Sequence, residues 1–298
     1  MSNILRIVSV SGGKDSTALY CWAIEQFGAD GFKAVFADTG HEHPVTYNYV
    51  RNLHQFAGGP EVHWVKADFA EKVKAKGRSP SGNPFLDLWL WKGRAPSAKA
   101  QFCTENLKLT PIRSWINSIR GDAEVEIFVG IRAGESARRA KMPEEEDSEY
   151  YDAIVKRPLL RWSEQEVFDY LKSNGVEPNP LYQNGSARVG CYPCIHSRKS
   201  ELASMPDWAW EKLAEWEKLA GRTWFAFGDV PLTNEQRLEL IKAASDPAAV
   251  AKLKDDMSPR VAQVREWCKT SRGGKQFQLF LDDTKDVPSC MSTWGICE

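Results

Sequence analysis

The stretch that decides the fold is IVSVSGGKDSTALYCW, residues 7–22. Apolar or small residues Ile7 to Val10 run into Ser11, Gly12, Gly13, Lys14, Asp15 and Ser16, and the chain turns helical at once. A turn between a strand and a helix is where an anion site forms. Glycines let the backbone approach phosphate oxygens, free N–H groups at the helix start donate to them, and the helix dipole favours their charge. Lys14 adds a point charge, and Ser11 and Ser16 add hydroxyl donors. The spacing is not that of a Walker loop, which has four residues between its first glycine and Gly-Lys. The expectation is a turn that holds a triphosphate, against the plainer reading of a strand-to-helix turn with a solvated Lys-Asp pair.

Outward from this turn, short β-branched runs alternate with amphipathic segments. ILRIVSV, FKAVFADTG, VHWVKAD and EVEIFVGIRA read as strands, AIVKRPLLRW is a fifth apolar run, and helical patterns lie between them. This order predicts an α/β fold, a parallel twisted sheet with helices on both faces. Ser163 and Glu166 form a capping box that opens a helix ending near Gly175. From about residue 197 the pattern is helical only, so the chain divides into an α/β domain over 1–196 and a helical C-terminal region with a cysteine-containing tail over 197–298. Trp208, Trp210 and Trp216 in that region are expected to pack against the sheet domain rather than to stack on bases. PEEEDSEYYD, with six acids in ten residues, reads as a solvated, mobile loop, and KAKGRSPSGNPF as another loop.

The 298 residues carry 42% hydrophobic residues and a net charge of −1, enough for a real core and without a global field for nucleic acid or membrane. No apolar run approaches the roughly 20 residues of a membrane span, and MSNILRIVSV lacks the marks of a signal peptide. The expectation is a cytoplasmic protein. In a reducing compartment its seven cysteines point to metal ligation or catalysis rather than disulfides.

Cations stand near the turn and after the fourth strand, suited to an anion or, for ESARRAK, to an exposed basic helix turn. Lys14 is at the turn, and Arg132, Arg138 and Arg139 follow the fourth strand, at the end where open α/β sheets bind ligands. Asp15 or Asp38 suits a Mg²⁺ that accompanies a phosphate ligand. His41 and His43 flank Glu42 after the second strand and are expected to be exposed, against a metal or acid-base role.

SGGKDS resembles the PP-loop of the ATP pyrophosphatases, the adenine nucleotide alpha-hydrolase-like superfamily. Four further stretches extend the likeness to phosphoadenylyl-sulfate (PAPS) reductases and the small subunit of ATP sulfurylase: VFADTGHEHPVTYNYV, FCTENLKLTPIRSWI, GIRAGESARRAK and RPLLRWSEQEVFDYL. Together they span about residues 4 to 200; the helical region stands outside the resemblance. The likeness implies nucleotide binding by Ser11, Gly12, Gly13, Lys14, Asp15, Ser16, Asp38 and Thr39, with Lys14, Arg132, Arg138 and Arg139 as catalytic cations. Reductases receive sulfate already activated, and their loop usually departs from the intact form present here. The resemblance therefore implies an ATP-dependent adenylyltransferase or pyrophosphatase, as in ATP sulfurylase or the enzymes of DNA phosphorothioation and RNA thiolation. A thiol-dependent reductase of adenylyl or phosphoadenylyl sulfate, with Cys290 or Cys297 as nucleophile, is the alternative, and a nucleotide-bound scaffold without turnover is a third. The acceptor, a sulfate-like anion or a nucleic acid, is not named by any motif. Whether the chain acts as a homo-oligomer or with a partner subunit is equally open.

Cys191 and Cys194 form a C-x-x-C pair, a spacing that suits one metal, redox chemistry or burial. With Cys103 they resemble the cluster-binding cysteines of iron-sulfur adenylyl-sulfate reductases, although Phe102 stands where those enzymes have a second cysteine. The resemblance implies a [4Fe-4S] cluster on Cys103, Cys191, Cys194 and either Cys290 or Cys297, with zinc on Cys191, Cys194, Cys290 and Cys297 as the alternative. Cys21 and Cys268 read as core.

Overall fold

The computed structural model describes residues 3–271. Six strands form one sheet: β1 (Ile4–Val10), β2 (Lys33–Asp38), β3 (Val62–Lys66), β4 (Glu124–Phe128), β5 (Glu145–Ser148) and β6 (Ala153–Lys156). Their order is β3-β2-β1-β4-β6-β5, and every neighbouring pair is parallel except β5 with β6. Connections run from β1 to β2 on one side and later to β4 on the other. The carboxyl ends of β1, β2 and β4 therefore border a topological switch point, the crevice in which such sheets bind ligands.

Helices α1 (Lys14–Phe27), α2 (Pro44–Ala57), α3 (Ala70–Lys74), α4 (Pro84–Lys92), α5 (Phe102–Thr104), α6 (Thr110–Ile119) and α7 (Glu164–Ser173) connect or follow the strands. A π-helical turn over Glu105–Leu109 joins α5 to α6. Strand side chains alternate between two cores, as the period of two dictates. Val8, Phe36 and Phe128 pack with Leu19, Val50, Leu53 and Val167 on the α1, α2 and α7 face. Ile7, Val35 and Ile127 pack with Ile112 and Ile116 of α6 on the other. Helices thus cover both faces, as the alternating pattern predicts.

The remaining helices are α8 (Lys199–Ala203), α9 (Asp207–Ala220), α10 (Asn234–Lys242), α11 (Pro247–Asp256) and α12 (Val261–Cys268). A third core joins Trp210, Leu213, Trp216 and Trp224 to Phe85, Leu88 and Trp89 of α4. Trp210 and Trp216 are buried there, as expected, while Trp208 is 38% exposed. Cys21 and Cys268 are buried in α1 and α12.

The acidic stretch departs from the expected loop. Glu145 to Ser148 form β5, antiparallel to β6. Lys156 lies 3.5 Å from Glu145 and 2.7 Å from Glu126, and the fully buried Arg157 pairs with Glu146. Lys156 of the neighbouring strand and Arg157 just after it offset the repulsion that the sequence alone suggests. No helix among the described residues is long and apolar enough to cross a membrane.

Candidate nucleotide site

The glycine turn follows β1 directly. Gly12 has φ +83°, and a Cβ there would lie 2.8 Å from Thr46 Cγ2 and 2.9 Å from Val50 Cγ2. Only glycine fits both the left-handed backbone and the contact with α2. Ser16 Oγ accepts from the Ser11 amide at 3.1 Å and donates to the Gly13 carbonyl at 3.0 Å, closing the turn on itself. Thr17 Oγ1 also donates to Gly13 O, at 2.9 Å. From the far end of the α/β region, the fully buried Asn179 donates to Gly12 O at 3.1 Å.

Lys14 opens α1 and is 5% exposed. Its ammonium lies 3.5 Å from Asp15 Oδ2 and 3.4 Å from Glu164 Oε1. Asp15 Oδ1 accepts from Arg132 Nε at 2.6 Å, an ion pair buried on both sides. Glu135 Oε2 accepts from the Arg132 amide at 2.7 Å and pairs with Arg139. Lys14, Asp15, Arg132, Glu135 and Arg139 therefore form one chain of alternating charge between α1 and the loop after β4. Arg138, expected among the catalytic cations, is exposed beside it.

Asp38 and Thr39, at the end of β2, build the second wall. Asp38 Oδ1 accepts from the Gly40 amide at 2.8 Å and from the Tyr47 hydroxyl at 2.7 Å. Tyr47 also reaches Glu42 Oε2 at 2.8 Å, and Thr39 Oγ1 donates to Glu42 Oε1 at 2.6 Å. Burial and these carboxylates push the Tyr47 phenol well above its ordinary range. A small cavity of about 20 Å³ lies between the ends of β1 and β2, lined by Ser9, Ser11, Ala37, Glu42, Lys108 and Gly190.

His41 corrects the expectation of exposed histidines. It is fully buried among Phe85, Trp216 and Trp224, with ring centroids 4.5–5.1 Å away, because the helical region closes over the β2 end. Burial, then the Lys212 ammonium, hold its pKa well below the usual imidazole value. His43 is the N-cap of α2, accepting from the Val45 amide through Nδ1 at 3.1 Å.

Cys103, Cys191 and Cys194 are brought into one electrostatic neighbourhood, where Cys191 also feels Lys108 and Glu42. Its thiol is 3.8 Å from Glu42 Oε1 and 3.7 Å from Thr39 Oγ1, and burial pushes its pKa well up. Among the described residues no group of three His, Cys, Asp or Glu side chains is arranged to hold a metal ion. Cys290 and Cys297 lie outside the described residues. Three of the four cysteines named for a cluster, and two of the four named for zinc, are among the described residues.

A family model described as phosphoadenosine phosphosulfate reductase domain matches residues 6–197, the span that holds the turn, both walls and the C-x-x-C pair. The chain belongs to this family. An uncharacterised 37.8 kDa protein of Escherichia phage 186 is 38% identical across 99% of this chain and 97% of its own length. Adenosine 5'-phosphosulfate reductase of Burkholderia cepacia is 37% identical over a stretch covering 31% of this chain and 38% of that protein. Among solved structures, phosphoadenylyl-sulfate reductase from Candida auris, in a phosphate complex, shares 22% identity with a TM-score of 0.45, covering 65% of this chain and 83% of that one. The matched span of this family of enzymes includes the lysine turn at the switch point of the sheet. Tyr182, Asn179, Glu164 and Glu42 complete the site without having been singled out from the sequence. Only Asn179-Pro180 carried a local signal, that of an Asx turn, and Leu181 N indeed donates to Asn179 Oδ1 at 3.1 Å.

Proposed function

We propose that the chain cleaves ATP between its α and β phosphates and transfers the adenylyl group to an acceptor, in sulfur metabolism or nucleic-acid thiolation, in the cytoplasm. The observation that carries this reading is Lys14, a nearly buried ammonium at the first residue of α1, beside two glycines and at the switch point of the sheet. In the step proposed, a nucleophile on the acceptor attacks the α phosphorus. The bond from that phosphorus to the bridging oxygen breaks, and its electron pair leaves with pyrophosphate. Lys14 and the amides at the start of α1 neutralise that charge, while Asp15 orients Arg132 toward the same crevice. Mg²⁺ arrives with ATP. Asp38 suits it better than Asp15, whose carboxylate is already committed to Arg132 and Lys14.

Lys14→Ala is expected to weaken ATP binding or turnover about ten- to hundredfold, the loss of one charge-assisted phosphate contact. Calorimetric ATP titration and pyrophosphate release measure it, and wild-type values in the variant would remove the turn from the site.

Reduction of adenylyl sulfate or its 3'-phosphate is the second reading, supported by the thiols gathered at the β2 end and by relatives named adenosine 5'-phosphosulfate reductase. Sulfite release from activated sulfate, in place of pyrophosphate release from ATP, would select it. A [4Fe-4S] cluster on Cys103, Cys191, Cys194 and one of Cys290 or Cys297, or zinc on Cys191, Cys194, Cys290 and Cys297, is compatible with either reading; iron and zinc analysis of anaerobically purified protein tests it. Nucleotide binding with neither release would indicate a scaffold.

A further inference from the structure

The two groups of Lys14 that a phosphate would use are both engaged by the protein itself. Its amide donates to the Tyr182 hydroxyl at 3.0 Å, and its ammonium lies 3.4 Å from Glu164 and 5.2 Å from the centre of the Tyr182 ring. Both partners come from the segment after β6. We propose that Tyr182 and Glu164 are exchangeable ligands of the turn, yielding Lys14 to a polyphosphate and taking it back as pyrophosphate leaves. This rests on the adenylyl-transfer reading and assigns its product release to these two side chains.

The surroundings of the two residues suit exchange. The buried Lys14 ammonium keeps Asp15 Oδ2 at 3.5 Å when Glu164 leaves, so exchanging Glu164 for a phosphate oxygen never strands its charge. The Glu164 side chain is 60% exposed, and water reclaims its carboxylate at little cost. It can leave without uncapping α7, because the capping box uses Ser163 and Glu166 instead. Tyr182 stays at hand because Asn179 holds it: Tyr182 N donates to the Asn179 carbonyl at 3.0 Å, while the Asn179 amide grips Gly12 O. The hydroxyl therefore needs to move only far enough to free one N–H group.

The test is calorimetric titration of wild type, Glu164→Gln and Tyr182→Phe with inorganic pyrophosphate and, separately, with adenosine. Each variant is expected to bind pyrophosphate about two- to tenfold more tightly, since a competitor for Lys14 is gone, with adenosine affinity unchanged. Product inhibition by pyrophosphate should strengthen in parallel. Weaker pyrophosphate binding by Tyr182→Phe would make the hydroxyl a direct ligand contact, and unchanged binding in both variants would make the contacts incidental; either overturns the inference. If those variants are unchanged but Lys14→Ala still loses ATP, the proposed function stands and only this inference falls. Wild-type protein that binds neither ATP nor pyrophosphate removes both. Both substitutions are near-isosteric at partly exposed positions, and matching thermal midpoints verify that the fold is intact.

Discussion

Asp15 braces the turn from within. Its side chain is 1% exposed and that of Arg132 7%, so neither charge has water to fall back on. Removing one partner strands the other, which costs about 3–5 kcal/mol in buried pairs. Asp15→Ala should therefore lower unfolding stability by about that amount in urea, and a loss under about 1 kcal/mol would mean that water reaches Arg132. Lys14 and its glycines were legible because an anion site at a strand-to-helix turn is a local pattern. Glu164 and Tyr182 were not, because they meet the turn only through tertiary placement, from positions whose own neighbours suggest a helix start and a loop. His41 was misread for a related reason: the tryptophans that bury it come from the helical region, far along the chain.

Elements position these residues through two close contacts. Just after β4, a Cβ on Gly130 would lie 2.7 Å from Asp15 O and 2.9 Å from its carbonyl carbon, so the segment leaving β4 and the first turn of α1 touch backbone to backbone. Gly130→Ala must push α1 away from the sheet. It should cost about 1–3 kcal/mol, as overpacking does, and weaken ATP binding, with both read in one thermal-shift titration. Gly134→Ala, whose Cβ would meet nothing nearer than Arg132 Nη1 at an ordinary 4.0 Å, is the control expected to leave both unchanged. The parallel strands and the Ser163–Glu166 cap were legible, because strand alternation and capping are encoded within a few residues. β5 was hidden, since its acids read as solvated until Lys156 of the adjacent strand and Arg157 just after it are known to face them.

At the scale of the molecule, His41 joins three parts of the chain. A carbonyl can only accept, so Nε2 carries the proton donated to Pro193 O at 3.0 Å, and Nδ1 is left to accept from the Lys212 ammonium at 3.2 Å. Lys212 also donates to Tyr192 O at 3.2 Å. The end of β2, the Cys191–Cys194 segment and α9 are thereby locked together by a neutral imidazole inside an aromatic cage. Burial brings Lys212 down to about 8, still protonated at neutral pH and able to donate. Because the folded protein holds His41 far below its unfolded value, the unfolded chain binds a proton near pH 6.5 that the native state refuses. The stabilisation is present above that pH and is lost as pH falls below it, at about 1.4 kcal/mol per pH unit for one proton. His41→Gln keeps a donor and an acceptor but does not titrate. Urea midpoints from pH 7.5 to 5 should show wild type losing stability relative to the variant below about pH 6.5. A difference that stays constant across that range would mean that His41 takes its proton inside the folded protein, and the interlock would then not depend on a neutral ring.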